Sequence, residues 1–428
     1  VDEDTPIFYE FNFIEAGSGT SISVQAKSEA SYGVSILPPG DFENNQLVTC
    51  TVTVYDSLDA KSSAVTTVVV LPLEVTTAEL SGLVGNQLNL SFGSSDSTKQ
   101  VLSTASAILN VANCTSAPNC VLLNRHGCGT TSQTCGACLA SFVGEEGDAN
   151  SACALASLPA GGASRLRRAL SSGCAGDSDC DPFSECSVAN VCTRKPKLCP
   201  GDCSGLGACT YRNVSGAAIS ECFQGDVSCT ALCVCVSGFA SADCAMTEAE
   251  LEKRQVLRAQ LLGGLQGLTE SENPTEDGID SWSNSLLSMS QNPDEISSDA
   301  ASSIPQIASV LLLNADDTGV SSSSLGGVVN GLSAVAQGPH NQKGVEISDL
   351  LLLYSDLVAA EMVPGQAPVS SILPGFSLSS QVVESGGAGM SMVSPLSFAE
   401  SFNGASPMGV SFPAGNNASQ PNSESVSI

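Results

Sequence analysis

A chain of 428 residues has room for about three domains and is far too long to be a single disulfide knot. Its 44 acidic side chains against 15 basic ones leave a formal net charge of −29. Such a surface repels a phosphate backbone or an anionic bilayer face, because affinity for either rests on cations. Nucleic acid is therefore excluded as a partner.

Cysteine usage sets the compartment. Of 19 cysteines, 18 fall between Cys114 and Cys244, and the other is Cys50. Thiols at that density point to disulfides made in the secretory pathway. Structural zinc wants paired Cys-x-x-Cys or Cys/His sets; here there is one such pair, Cys135 with Cys138, and two histidines, His126 and His340. Sequons at Asn89, Asn113, Asn213 and Asn417 fit a secreted glycoprotein, although Cys114 makes Asn113 a poorer acceptor. No run reaches the ~18 apolar residues that span a bilayer. The longest, Val65–Leu73 and Val310–Leu313, read as a strand and a helix face. The chain opens on Val1 without an initiator Met or a signal peptide, so signal and membrane anchor are expected outside it.

The first 73 residues read as strands. Phe11 and Phe13 alternate with polar neighbours, as do Ile22 and Val24, while Val48, Cys50, Val52 and Val54 share one face of a Thr-rich run. Pro38-Pro39-Gly40 and Asp56-Ser57 punctuate them as turns, and Val65–Val70 adds another β-branched run. Short strands at this spacing predict a β-sandwich, with Cys50 a buried free thiol packed as a small hydrophobe. Tyr9-Glu10-Phe11-Asn12-Phe13, Ile36-Leu37-Pro38-Pro39-Gly40 and Val52-Thr53-Val54-Tyr55-Asp56-Ser57 together resemble the end of an egg-jelly-receptor (REJ) region. The resemblance covers roughly residues 1–120 and implies a sandwich like that of the polycystic kidney disease (PKD) repeat, as found in polycystin-like proteins. Residues 74–113 pass from strand to helix, with Val101, Ala105, Ile108 and Val111 at helical spacing, so one β region with a terminal helix is expected over 1–113.

From 114 to 244 no long apolar periodicity exists, and covalent links must stand in for a core. A cysteine-rich unit is expected at 114–158, a basic Gly/Ala/Ser linker at 159–173, a small two-disulfide unit at 174–194, and a further module at 195–245. The last contains Cys199-Pro200-Gly201-Asp202-Cys203, Cys209, Cys233-Val234-Cys235, Gly238-Phe239 and Cys244, and resembles an epidermal-growth-factor-like (EGF-like) module. That resemblance implies the pairs Cys199–Cys209, Cys203–Cys233 and Cys235–Cys244. Cys222 and Cys229 are additional, most simply paired with each other, and Ser241 replaces a glycine common in the family. Around Cys128, Cys135, Cys138 and Cys153 the chain resembles the tail of an EGF or laminin-type loop, with connectivity open. Cys114 and Cys120 are expected to pair with one another, being close in sequence.

A helical bundle is expected over 246–360. Leu257, Leu261, Leu265 and Leu268 share a face, and Asn273-Pro274-Thr275-Glu276 and Asn292-Pro293-Asp294-Glu295 read as helix starts. Pro305 is expected to kink the second of these helices, and further helices fit Leu325–Val335 and Ile347–Val358. The Ser/Gly/Pro-rich tail, 361–428, is read as short strands with partial disorder. A bundle after an EGF-like module, giving way to strands, resembles the start of a GAIN-type domain, although no cysteine follows Cys244 to support the self-cleavage site of such domains.

Catalytic signatures are missing from the sequence. There is no nucleophile elbow, phosphate loop or His-Glu-x-x-His, and His126 and His340 sit in loop-like contexts, so no enzyme is expected. No cofactor is expected except calcium, for which Asp177, Asp179 and Asp181 offer the best carboxylate cluster. Arg165-Leu166-Arg167-Arg168 fits the pattern cut by furin-type proteases, with cleavage after Arg168. These readings converge on a multidomain extracellular adhesion or sensing stalk for protein or carbohydrate ligands, anchored to the membrane through sequence outside this chain. A secreted matrix or cell-wall glycoprotein is the rival, and an extracellular hydrolase lacks a poised acid–base pair.

Overall fold

The computed structural model of the protein describes residues 6–14, 21–35, 37–40, 45–58, 60–71, 76–91, 94–155, 173–180, 183–213, 216–226, 228–338, 344–383, 390–396, 409–412 and 424–427. The chain divides into two compact units. One joins residues 1–110 to 252–390 and 412–428; the other holds 111–251 with 391–411. The N-terminus is strand-rich, the middle is stapled by nine disulfides and the region after it is helical.

In the first unit, β1 (Phe8–Ile14), β2 (Ser21–Ser28), β3 (Leu47–Tyr55) and β4 (Lys61–Val69) form one antiparallel sheet in the order β2-β1-β3-β4. Register places Phe13 opposite both Ile22 and Cys50, so the alternation seen in the sequence gathers Phe13, Ile22 and Val48 into a small apolar cluster. Cys50 packs against that cluster but is only half-buried, which corrects the expectation of a buried thiol; desolvation still raises its pKa. The expected second sheet of a sandwich is not formed among the described residues. Two hairpins, β1–β2 and β3–β4, join through β1 and β3 into a single sheet, and β4 remains exposed along its whole length.

Two helices follow, α1 (Thr77–Ser91) and α2 (Ser95–Leu109), of which only the second is legible in the apolar spacing. Ser94 caps α2 by accepting the Ser97 N–H. The domain boundary expected near residue 113 does not separate these helices from the later bundle. Leu80, Val84, Leu102, Ala105 and Leu109 lie in the same core as the helices that resume beyond the disulfides. Those are α3 (Glu248–Ser271), α4 (Glu276–Ser290), α5 (Ser298–Thr318), α6 (Gly326–Gln337) and α7 (Gly344–Ala360).

The leucine face of α3 (Leu257, Leu261, Leu265 and Leu268) is buried, as are Trp282, Leu286 and Met289 of α4 and Ile304, Ile307 and Leu311 of α5. The starts of α4 and α5 differ from expectation. Thr275, not Asn273, caps α4 by accepting the Gly278 N–H at 3.1 Å. Residues Pro293–Glu295 form a separate 3-10 turn and Ser297 caps α5, which continues on both sides of Pro305. Glu295 is thereby freed from any capping role and points inward, where it binds Arg258 at 2.6 Å and Arg254 at 2.7 Å. The hairpin Val369–Leu373/Phe376–Val383, placed in the tail by sequence, contributes Leu378 and Val382 to the same core, and Ser380 bonds Ser355 of α7 at 3.1 Å.

Close backbone approach is built in at Gly327, where an added Cβ would stand 1.7 Å from the Ser283 carbonyl oxygen. Gly327→Ala therefore overpacks the α4–α6 contact and is expected to cost about 1–3 kcal/mol or more. Glu295→Ala leaves Arg258, fully buried, without its partner and is expected to cost about 3–5 kcal/mol. Both are read as a lowered urea midpoint of the helical signal with the disulfides intact; an unchanged midpoint contradicts these packing assignments.

Candidate functional site

The second unit is the disulfide block, and its construction is covalent. The first group pairs Cys114–Cys128, Cys120–Cys135 and Cys138–Cys153. Cys114 and Cys120 are thus not bonded to each other, contrary to expectation. Ser116–Asn119 carry the chain away between them, and Cys120 opens a 3-10 turn (Cys120–Leu123) capped by Asn119, whose side chain accepts the Leu122 N–H. Interlacing also closes loops with sequence separations of 14 and 15, each of which removes about 3 kcal/mol of unfolded-state entropy, more than a six-residue loop would. The second group pairs Cys174–Cys186 and Cys180–Cys192. The third pairs Cys199–Cys209, Cys203–Cys233, Cys222–Cys229 and Cys235–Cys244. With Cys222 and Cys229 left out of the count, first-to-third, second-to-fourth interlacing recurs in all three, and the first and third groups add a fifth-to-sixth bond. In the third, Cys222–Cys229 sits inside the widest loop.

Sulfur atoms cluster at Cys174/Cys180/Cys192 and at Cys199/Cys203/Cys233 within 4.8 Å. Each is consumed by a disulfide, so none is the thiolate a metal would need.

Sequence reasoning missed the centre of the first group, Arg125, which is 1% exposed. Its Nε donates to the Ser151 carbonyl at 2.6 Å, Nη1 to the carbonyls of Gly136 and Gly147, both at 3.0 Å, and Nη2 to the Glu145 carbonyl at 3.0 Å and the Ser151 hydroxyl at 3.3 Å. Burial lowers its pKa, opposed by Glu145 and Asp148, but a guanidinium stays charged. A cation with every donor used replaces the apolar core that the segment lacks. The only signal in the sequence is an arginine set amid interlaced cysteines, which is too little to reveal a hub.

The three groups pack together rather than forming separate beads. An added Cβ at Gly201 would meet Cβ of Gln133 at 3.2 Å, and Lys197 approaches Glu145 at 3.9 Å while donating to the Cys229 carbonyl at 3.0 Å. Arg194 lies 4.8 Å from the centre of the Phe223 ring. In the third group the hairpin Gly207–Asn213/Cys229–Cys235 carries Cys209, Cys229, Cys233 and Cys235. Strain collects at its base, since Asp202, Cys203 and Ser204 have φ of 51–53°. Ser241 has φ +80°, the reason a glycine suits that position, and Gly238 has φ +90°. Leu232 and Val234 on the second strand of that hairpin, with Val236 just beyond it, are exposed.

Of the calcium candidates, Asp177 accepts the Cys186 N–H at 2.8 Å, and Asp179 accepts the N–H groups of Ala175 (2.8 Å) and Gly176 (3.2 Å); both are exposed, and Asp181 lies outside the described residues. The two described carboxylates are thus occupied as backbone acceptors within their loop. Asn113 is exposed, with its side-chain oxygen accepting from the N–H (3.1 Å) and hydroxyl (2.8 Å) of Thr115. Asn213 is half-buried and accepts the Ala217 N–H at 2.9 Å. Asn89 falls in α1, while Asn417, Arg165, Arg168 and His340 lie outside the described residues. His126 is exposed beside the Arg125 hub. Among the described residues no helix is long and apolar enough to cross a membrane.

Residues 1–107 match the family model of the REJ domain, about a quarter of the 428-residue chain. No curated protein matches the chain.

All nine disulfides lie within 111–251 and none is in the helical unit, so reduction is expected to unfold the block while helical circular dichroism persists. Helicity lost in step with the disulfides would contradict two independent cores. Arg125→Met orphans four carbonyls at about 1–3 kcal/mol each and is expected to give scrambled pairings of Cys114–Cys153 in peptide maps. Correct pairing in that variant would remove the hub assignment.

The Asp226 carboxyl is held below its ordinary value, chiefly by the Ser228 hydroxyl, with burial opposing and the Ser228 N–H, Arg194 and Lys197 assisting. A depressed carboxyl stabilises the fold above its ordinary value, and that contribution is lost as pH falls through the lowered one. Ser228→Ala is expected to move the Asp226 midpoint upward in a carboxyl NMR titration.

Proposed function

We propose that this chain is part of the extracellular region of a polycystin-like surface protein and acts in adhesion or sensing without catalysis. The observation that carries the reading is the pairing of 18 of the 19 cysteines in a chain whose first 107 residues match the REJ domain. Disulfides at that density persist only where the medium is oxidising. The interlaced order of the third group supports an EGF-like module at 195–245, and the same order in the first group supports a relative of it at 114–158. On this reading the sheet β1–β4 is a PKD-like remnant within the REJ region, and the helices with their hairpin are a GAIN-like start.

Ligands are extracellular proteins or carbohydrates that dock on the rigid block, which presents a fixed surface without needing a large core. Asn89, Asn113, Asn213 and Asn417 carry glycans, the chain is cleaved after Arg168, and membrane spans elsewhere in the protein anchor it. Calcium is not required, since Asp177 and Asp179 serve their own loop. Heat released on titrating calcium into the protein, and lost in Asp177→Asn, would reverse that statement.

Thiol counting on natively secreted, denatured but unreduced protein tests the compartment, and one reactive thiol, that of Cys50, is expected. Many free thiols would remove the extracellular assignment. Cells bearing surface glycans are expected to attach to the immobilised chain and to detach on mild reduction. Attachment that survives reduction would move the adhesive surface out of the block.

A further inference from the structure

We propose that the helical unit is a two-piece assembly in which helices α3–α7 hold the N-terminal piece, β1–β4 with α1 and α2, without covalent help. A backbone cut between Cys153 and Cys174 then yields one two-chain protein rather than two separate products. The disulfides permit this. Three close within Cys114–Cys153 and six within Cys174–Cys244, and none joins the two sets. Once the backbone is severed there, only non-covalent contacts remain.

Those contacts form a surface shaped for the chain's own α1–α2 hairpin. Gly264 of α3 has no side chain where Leu102 of α2 (3.2 Å) and Leu88 of α1 (3.4 Å) approach, so a Cβ there would crowd the hairpin. Leu80, Val84, Leu102, Ala105 and Leu109 are buried from the N-terminal side, and Leu257, Leu261 and Leu265 from the other. Polar bonds set the register. Lys99 binds Glu272 at 2.7 Å, and the same carboxylate accepts the Trp282 indole N–H at 2.9 Å. Arg254 donates to the carbonyl of Leu109, the last residue of α2, where a helix dipole welcomes a cation. Arg258 donates to the Asn110 side chain at 2.8 Å, and Asn110 donates to the Ser288 carbonyl at 2.8 Å. Apart from the Trp282–Glu272 bond, which braces the carboxylate from its own side, each of these bonds joins a residue before the cut to one after it. Within the block, the Lys197–Glu145 approach crosses it too.

The occupant of the α3–α4 face is thus committed: residues 77–110 of the same chain. Arg165–Arg168 offers a cutting position by its sequence alone and lies outside the described residues.

The test uses the full chain, cut by a furin-type protease. A variant in which residues 165–168 are replaced by the recognition sequence of another site-specific protease supplies the cut if the first enzyme leaves the chain whole. Two bands are expected on non-reducing denaturing gels, and one peak at the size of the uncut protein in native size exclusion. A single denatured band would mean that a disulfide crosses the cut, and two native peaks would mean that the face does not hold its partner; either result overturns the proposal. Arg254→Ala and Gly264→Leu are expected to speed loss of the N-terminal piece from the cut protein by on the order of 100-fold, the first by removing one partner of a buried contact and the second by crowding Leu102 and Leu88 out of the face. Arg254→Lys, which keeps the charge at the end of α2, is the milder variant should Arg254→Ala fail to fold. An unchanged rate in Gly264→Leu and in the Arg254 variants also overturns it.

Discussion

The arrangement of the helical unit depends on the carboxylate of Glu295, shared between Arg254 and Arg258. Three charges in a site this enclosed are costly to desolvate, and apolar side chains of equal volume would often be as stable. What the trio adds is uniqueness. Arg258 has its donors satisfied only when the end of α4 supplies the Met289 carbonyl (3.0 Å), residue 295 supplies its carboxylate and the end of α2 supplies Asn110. Leucine faces alone tolerate sliding by a turn, whereas this set of bonds does not. The trio also brings Leu109 and Arg254 into contact, close to Asn110 and Glu252, where the chain first leaves the helical unit and returns to it. An insertion whose ends meet costs its host little, because the host's path across the gap is unchanged.

Two kinds of glue therefore divide the molecule. The helical unit holds itself by apolar burial with a few enclosed polar bonds, and it has no disulfide among the described residues. The block holds itself by sulfur, with small apolar clusters and the Arg125 hub, in which a guanidinium bonded to carbonyls does the space-filling that leucines do elsewhere. The strained turn Asp202–Ser204 belongs to the second regime. Three non-glycine residues in the left-handed region would be expensive in a helical core, but Cys203–Cys233 and Cys199–Cys209 over-determine the backbone there.

Legibility followed the range of the interaction. Leu257, Leu261, Leu265 and Leu268 were readable because helical periodicity is local, and the alternation of Phe11/Phe13 and Val48/Cys50 marked strands for the same reason. The pairing of Cys199 through Cys244 was readable only through its resemblance to the EGF-like spacing, and where that spacing blurred, at Cys114 and Cys120, nearness in sequence was a poor guide to nearness in space. Glu295 shows the limit most clearly. Asn292-Pro293-Asp294-Glu295 satisfies every local rule for a helix start, yet the helix begins at Ser298 because the carboxylate is worth more against two arginines 37 and 41 residues away. Leu109 and Arg254 are 145 positions apart, and no local rule carries that distance.

A consequence follows for what counts as a domain here. The stretch that matches the REJ model ends at residue 107, inside α2, and the buried face of that helix is covered by α3 and α4, which lie beyond the disulfide block. A sequence family can be recognised in residues 1–107, but those residues leave Leu102, Ala105 and Lys99 without the partners that bury them. The matched region is therefore not an independent folding unit in this chain. Its helices behave as the first two of the seven described helices that share one core, with Arg254 bonded to the Leu109 carbonyl and Arg258 to the Asn110 side chain at the end of α2.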